Sequence, residues 1–195
     1  KDFGEQTHGW FAAKLERLKD FHRKEKEGEE AKELTNKFLL LYEQGKTKEA
    51  EETLKSAIEK SPEGAFLYFA YGTLLLEQGG EENLRQSFER YKLAVKYKPD
   101  LQEAYYNWGT ALSDLGKMLG GEEGQGLLRE SFEKYELAVK YKPDYHEAYY
   151  NWGIAMQELA DLLPPEEKKE KVALKKQAKE LLGKVLVRRF DRRLL

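Results

Sequence analysis

A 34-residue stretch occurs twice in this 195-residue sequence, and the duplication constrains the fold more than any other feature. Residues 87–120 and 131–164 are identical at 22 of 34 aligned positions, which sets a period of 44 residues. The strings LAVKYKPD and EAYYNWG are unchanged between the copies. Pro62, Pro99 and Pro143 each follow a helical run, at separations of 37 and then 44 residues. Such periods are typical of arrays in which each unit buries its apolar face against the next.

Each repeated unit is predicted to contain two α-helices. In residues 102–115 the apolar and small side chains recur at helical spacing: Tyr105, Trp108, Gly109, Leu112 and Leu115. At about 100° per residue these side chains share one face of a helix. Residues 127–141 show the same periodicity, and the glycine-rich residues 120–124 predict a turn between the helices. Because no segment shows the two-residue period of a strand, the predicted fold class is all-α.

The pattern resembles the tetratricopeptide repeat (TPR), a helix–turn–helix unit with the signature W-x2-L-G-x2-Y…A-x3-F…P. The third unit reads Tyr105-x2-Trp108-Gly109-x2-Leu112, then Ser131-x3-Tyr135-x2-Ala138-x4-Pro143. The resemblance covers residues 31–187, with three good units and one degenerate unit. It implies a TPR-type α-solenoid, a right-handed superhelix of antiparallel helix pairs with about 3–4 repeats plus terminal helices.

Two features depart from the 34-residue unit of that family. The second unit is three residues longer and the third is ten residues longer. We therefore expect either longer helices or a protruding turn around residues 117–127. In the first unit, Phe38 stands where the family has a small residue for close helix contact. The packing of the first unit is therefore expected to differ from that of the others.

The chain is predicted to divide into a repeat array and two flanking segments. The array covers residues 31–163, with units near 31–64, 65–101 and 102–145 and the start of a fourth at 146–163. Residues 1–30 carry Trp10, Phe11, Leu15, Leu18 and Phe21 or His22 at helical spacing, which predicts an amphipathic helix. We interpret it as a cap on the array, or as an arm that binds a partner or folds into the chain's own groove. Residues 164–195 are predicted to hold the degenerate second helix of the last repeat, a capping helix and a basic tail.

The net charge of −2 hides a separation of charge along the chain. Residues 164–195 have eleven basic and five acidic side chains, whereas the repeat body at residues 31–163 carries −7. A basic docking tail is predicted at Arg188, Arg189, Arg192 and Arg193. It is interpreted as a contact for an acidic partner, for an anionic membrane surface or for RNA, or as a solvated helical cap. The sequence carries no specific nucleic-acid signature.

The residues needed for catalysis do not come together in the sequence. The chain has no cysteine, which excludes disulfides, thiolate metal sites and a cysteine nucleophile. The three histidines, His8, His22 and His146, do not pair at metal-ligand spacing. The apolar runs are far shorter than the ~20 residues that span a bilayer. We therefore expect no enzyme activity, no cofactor and no metal.

The resemblance implies that the first helix of each pair lines a concave groove that binds partner segments. Helical rotation from the predicted core positions gives these partner-binding groove residues: Leu39, Tyr42, Phe66, Phe69, Glu103, Tyr106, Thr110, Asp114, Glu147, Tyr150, Ile154 and Glu158. Phe69, Tyr106 and Tyr150 are expected to form an aromatic stripe flanked by acids, suited to an apolar segment with basic residues. The alternative is that the tyrosines merely pack between repeats. Thr35 and Leu39 replace the lysine and asparagine of the family's chaperone-tail clamp, so that activity is not expected.

The sequence favours a non-enzymatic protein–protein interaction scaffold or assembly factor. The alternative is a constitutive structural subunit of a large organellar membrane or ribonucleoprotein complex, docked through its basic tail and convex face. Partners are expected to be proteins in a multi-protein complex, and the oligomeric state is left open. The expected location of this soluble protein is the cytoplasm or an organelle interior. A processed plastid or mitochondrial protein is included because residue 1 is Lys1 rather than Met.

Overall fold

The computed structural model describes residues 15–19 and 29–191, with side chains described as far as Val185. This described part of the chain contains nine α-helices and one 3-10 turn, and it contains no strand. They are α1 (residues 15–19), α2 (Glu29–Glu43), α3 (Thr47–Lys60), α4 (Ala65–Gln78), α5 (Glu81–Tyr97), α6 (Gln102–Leu119), α7 (Gly121–Tyr141), α8 (His146–Leu162), a 3-10 turn at Pro165–Glu167, and α9 (Lys168–Asp191). The all-α prediction is confirmed.

The helices form a stack of pairs. α2 packs on α3, α4 on α5, α6 on α7 and α8 on α9, and each second helix also contacts the first helix of the next pair. Since every pair contacts its neighbours along the chain, the architecture is the predicted α-solenoid. No helix in the described ranges combines the length and the apolar character needed to cross a bilayer.

Glycine and proline set the two kinds of connection between helices. The turn between α4 and α5 uses Gly79 and Gly80, whose φ values of 65° and 79° are readily adopted only without a Cβ atom. Between pairs, the second helix ends two residues before a proline, because the residue that precedes the proline is disfavoured in the helical conformation. Lys98 and Lys142 have nearly the same backbone angles, and their amides close the preceding helices on Ala94 and Ala138.

The long third unit has longer helices and no protruding turn. α6 has 18 residues and α7 has 21, and only Gly120 lies between them. The sequence prediction of a turn over residues 120–124 is wrong, because α7 already begins at Gly121. Gly116 and Gly124 allow the end of α6 and the start of α7 to approach closely, since a Cβ on Gly116 would lie 2.9 Å from the carbonyl oxygen of Gly124.

Within the pairs, a tyrosine of the second helix packs against a glycine of the first. A Cβ on Gly72 would lie 2.8 Å from the Tyr91 ring, and in the next unit a Cβ on Gly109 would lie 2.9 Å from the Tyr135 ring. The first unit reverses the sizes, with Phe38 at the glycine position and Leu54 at the tyrosine position. Both side chains are fully buried, so the first unit has a closed core with a different arrangement of side chains.

A second aromatic contact occurs at the edge of both the second and the third unit. Tyr68 stacks on Tyr97 with ring centroids 5.8 Å apart, and Tyr105 stacks on Tyr141 at 5.7 Å. Each pair joins the start of a first helix to the end of the following second helix. Offset rings at such distances are favourable beyond their buried area, so the abundant tyrosines stabilise the repeats themselves.

Candidate functional site

The first helices of the pairs, α2, α4, α6 and α8, face the same side of the stack and are linked there by side-chain hydrogen bonds. Between α2 and α4, the Tyr42 hydroxyl donates to the Glu77 carboxylate at 2.6 Å. Between α4 and α6, the Asn107 amide donates to the Thr73 hydroxyl at 3.0 Å. Between α6 and α8, the Asn151 amide donates to the Tyr106 hydroxyl at 2.9 Å. Asn107 and Asn151 are 44 residues apart and occupy the same repeat position. These bonds hold neighbouring helices in register on the inner face.

A cavity of about 170 Å³ opens on this inner face between α4, α6 and the start of α8. Five predicted groove residues line it: Phe69, Glu103, Tyr106, Thr110 and Glu147. The other lining residues are Arg17, Leu18, Thr73, Leu76, Asn107 and Tyr145. We call this cavity and its rim the groove. Its walls are mainly apolar and aromatic, its polar contacts are hydroxyl and amide groups, and its two acids lie on neighbouring helices.

The remaining predicted groove residues lie elsewhere. Leu39, Tyr42 and Phe66 are buried, and Phe66 has 0% of its surface exposed because α4 is covered on nearly every side. None of these three side chains lines the cavity. Tyr150 is 51% exposed and Ile154 is partly exposed, but both lie outside the cavity.

Asp114 and Glu158 also lie outside the cavity, and both carboxylates lie near the same lysine side chain. The Lys117 ammonium group is 3.8 Å from a carboxylate oxygen of each. Partial burial raises the pKa of Asp114, and the nearby lysine opposes that rise. The acidic character predicted for this end of the inner face is therefore partly neutralised within the chain.

Tyr106 both packs against neighbouring aromatic rings and lines the cavity. Its ring packs against Tyr145 with centroids 4.9 Å apart and against Tyr135 at 6.2 Å, yet it also lines the cavity. Burial raises the pKa of both Tyr106 and Tyr145 above that of a free phenol. Both hydroxyls therefore stay protonated at neutral pH and can donate hydrogen bonds.

The helix α1 packs against the inner face and forms one wall of the groove through Arg17 and Leu18. Leu18 is only 1% exposed, and the Arg17 guanidinium donates to the Glu147 carboxylate at 2.9 Å. Partial burial would raise the pKa of Glu147, but a backbone hydrogen bond and the Arg17 charge outweigh it, so this pKa is below its ordinary value. A second ion pair of α1 joins it to α2, where the Lys19 ammonium lies 3.5 Å from a carboxylate oxygen of Glu43.

The sequence left open whether the helix that carries Leu18 folds into the groove, and it assigned neither Arg17 nor Tyr145 to this site. Arg17 is 130 residues from Glu147 along the chain, and no local pattern reports a contact over that distance. The available signal was the basic–apolar pair Arg17–Leu18 on a predicted amphipathic helix, opposite two acids at equivalent repeat positions. Four other residues assigned to that helix, Trp10, Phe11, Phe21 and His22, lie outside the described residues.

The predicted basic tail falls largely outside the described part of the chain. Arg188 and Arg189 belong to α9, but the description of side chains ends before them, and Arg192 and Arg193 follow the last described residue. Within the described ranges, no cluster of three histidine, aspartate or glutamate side chains could hold a metal ion.

The stacked helix pairs, the glycine–tyrosine contacts and the inner groove define the fold of a tetratricopeptide-repeat solenoid. Among solved structures, the chain is similar to residues 41 to the end of MamA from Desulfovibrio magneticus RS-1, with a TM-score of 0.60 and 19% identity over 93% of this chain and 86% of that one. It is also similar to YrrB, described as a TPR protein with an unusual peptide-binding site, with a TM-score of 0.57 and 16% identity over 84% of this chain and 74% of that one.

A third similar structure is TTC0263, a thermophilic TPR protein of Thermus thermophilus. Its TM-score is 0.57, with 16% identity over 80% of this chain and 81% of that one. No protein-family model matches the sequence, and no curated protein matches it. The feature shared with these structures is therefore the fold.

Proposed function

We propose that this protein is a non-enzymatic interaction scaffold whose groove binds an amphipathic segment of a protein partner. In this proposal an apolar side chain of the partner enters the cavity between α4 and α6, and a basic residue beside it pairs with Glu103 and Glu147. The observation that carries the proposal is the seating of α1, whose buried Leu18 and whose Arg17, hydrogen-bonded to Glu147, line this cavity.

The chemistry of the groove supports a peptide-like ligand. Phe69 and Leu76 supply apolar surface, whereas Tyr106 and Asn107 supply groups that can form hydrogen bonds. Aromatic side chains give a large contact area and lose little conformational freedom on binding, so they are frequent at the centres of interfaces. The peptide-binding site named for YrrB supports the same use of this fold.

The acids of the groove supply selectivity for a basic partner. Glu103 and Glu147 hold the same position in neighbouring units, 44 residues apart, so the groove carries two carboxylates in a row along its length. Such charges on the rim of an interface mainly steer association and select the partner, and they add less to affinity than the apolar contacts.

Selection of peptides from a random displayed library on the immobilised full chain tests the proposal. We expect peptides with lysine or arginine beside a leucine to be enriched, and the enrichment to be lost in Glu103→Lys/Glu147→Lys. The matched control is Glu89→Lys/Glu133→Lys, which changes the same total charge at two exposed positions, also 44 residues apart, on the second helices.

Two results would count against the groove as the binding site. One is equal enrichment of the same peptides on both double variants, which would place binding elsewhere on the surface. The other is the absence of any consensus on the unchanged protein. Circular dichroism of each variant shows whether helix content is retained, so that a lost signal is attributed to the groove rather than to unfolding.

A further inference from the structure

We propose that α1 is an intramolecular competitor for the groove, and that the partner carries the pattern that α1 displays there. That pattern is two leucines three residues apart, with an arginine or lysine immediately before the second, as in Leu15–Glu16–Arg17–Leu18. The inference rests on the proposed function, because it takes the way the groove holds its own segment as a description of its ligand.

The burial of α1 identifies which of its side chains the groove recognises. Leu15 and Leu18 are both buried and lie in the same apolar cluster as Phe69, whereas Glu16 is exposed. Residues three apart share one face of a helix, so α1 presents a two-leucine face to the inner side of the solenoid. A partner segment needs that same face to fill the same space.

The polar contacts of α1 orient it without holding it strongly. The Arg17–Glu147 pair is half exposed, with 48% and 51% of the two side chains accessible. Exposed ion pairs contribute little to affinity because water and salt screen them. The segment is therefore suited to being displaced by a partner helix.

Covalent attachment gives α1 its advantage over a free peptide. Only residues 20–28 separate it from α2, so its effective concentration at the groove is set by a short connection and lies in the millimolar range, about 1 mM or more. A partner segment of equal intrinsic affinity must compete against that concentration. Releasing α1 from the groove should therefore strengthen the binding of a segment supplied in trans.

The absence of cysteine from the sequence makes the docking of α1 directly measurable. A Leu18→Cys variant carries a single thiol, and its alkylation rate reports how often α1 leaves the groove. We expect this thiol to react at least fivefold more slowly than that of Glu16→Cys, which is exposed on the same helix. Adding Glu147→Lys to Leu18→Cys should raise the rate at least threefold, whereas adding Glu133→Lys should leave it unchanged.

A peptide that reproduces residues 10–24 serves as the probe for competition. At saturation it should increase the alkylation rate of Leu18→Cys, and the same peptide with serine at both leucine positions should not. Equal rates for Leu18→Cys and Glu16→Cys, or no effect of the unchanged peptide, would overturn the proposal. Protection that disappears on dilution together with a dimeric mass would also overturn it, because a second copy would then supply the segment.

Hydrogen exchange on chains without cysteine controls for an effect of the Leu18→Cys substitution on the docking of α1. In the cysteine-free chain, amide protection of residues 15–19 should fall with Glu147→Lys and remain with Glu133→Lys. These measurements need no partner, so they fail or succeed independently of the peptide selection. If residues 15–19 are protected but the library yields no consensus peptide, the proposed function is refuted and the docking of α1 stands. If peptides are selected but residues 15–19 are not protected, only the proposal that α1 competes for the groove is refuted.

Discussion

The Tyr135 ring lies so close to the backbone of Gly109 that a Cβ on this glycine would be 2.9 Å from two ring carbons. We expect Gly109→Ala to lower the free energy of unfolding by about 1–3 kcal/mol, because overpacking outweighs alanine's higher helix propensity. Urea denaturation followed by circular dichroism measures the change.

Gly126 provides the control for Gly109→Ala. It lies within α7, and a Cβ built there meets no heavy atom within 4 Å. Gly126→Ala should therefore raise the free energy of unfolding by up to about 1 kcal/mol, since alanine is the better helix former. If both substitutions shifted stability in the same direction, the close contact between Gly109 and Tyr135 would not limit the packing.

The hydrogen bond from Asn107 to Thr73 is predicted to stabilise the junction of α4 and α6. Asn107→Ala removes the donor at a buried position and leaves the Thr73 hydroxyl without it, which should cost about 1–3 kcal/mol of unfolding free energy. Asn36 holds the same repeat position in the first unit but is exposed. Asn36→Ala should change stability by less than about 0.5 kcal/mol. Equal losses in the two variants would show that the hydrogen bond contributes nothing beyond the substitution itself.

The docking of α1 is predicted to weaken in acid. Partial burial would raise the pKa of Glu147, but its backbone hydrogen bond and the Arg17 charge hold it below its ordinary value, and the Arg17 part of this effect favours the docked state at neutral pH. That contribution is fully present above the ordinary pKa of a glutamate, about 4.3, and is lost as the pH falls through the lowered pKa of the docked state.

A titration of the side-chain carboxyls by NMR measures this effect. Arg17→Gln should raise the midpoint of Glu147 towards its ordinary value. The pKa of Glu170, which is lowered by a hydrogen bond from Arg129 on another helix, should not respond. An unchanged midpoint for Glu147 in the variant would show that Arg17 does not reach it in solution.

The solenoid could be predicted from the sequence because its determinants repeat. The spacing of glycine, tyrosine and proline in the duplicated units specifies a close helix pair and a stop, and the structure has both at Gly109, Tyr135 and Pro143. Phe38 correctly marked the first unit as different, but a single unit does not show that a smaller residue, Leu54, stands at the tyrosine position. The start of α7 was missed because glycines normally signal a turn, whereas Gly124 serves close helix contact.

The groove was predictable only in part, and the reason is the range of the contacts. Phe69, Tyr106 and Thr110 follow from the rotation of one helix, a local property. Phe66 follows the same rotation, but the neighbouring helices bury it, and that burial depends on how the units pack together. The occupation of the groove by Arg17 and Leu18 depends on a contact between the first described residues and the last repeat, which no local pattern specifies.

The affinity of the groove for an amphipathic basic segment is the central quantity in this account. Fluorescence anisotropy with the labelled peptide of residues 10–24 measures it on three proteins: the unchanged chain, the released variant Arg17→Glu/Leu18→Ser, and the released variant with Glu103→Lys/Glu147→Lys added.

The released variant is predicted to bind the peptide at least tenfold more tightly than the unchanged chain, because its own segment no longer competes. Adding the two lysines should weaken that binding at least tenfold. Equal affinities for the unchanged chain and the released variant, or tight binding that survives the reversal of both groove acids, would contradict the account.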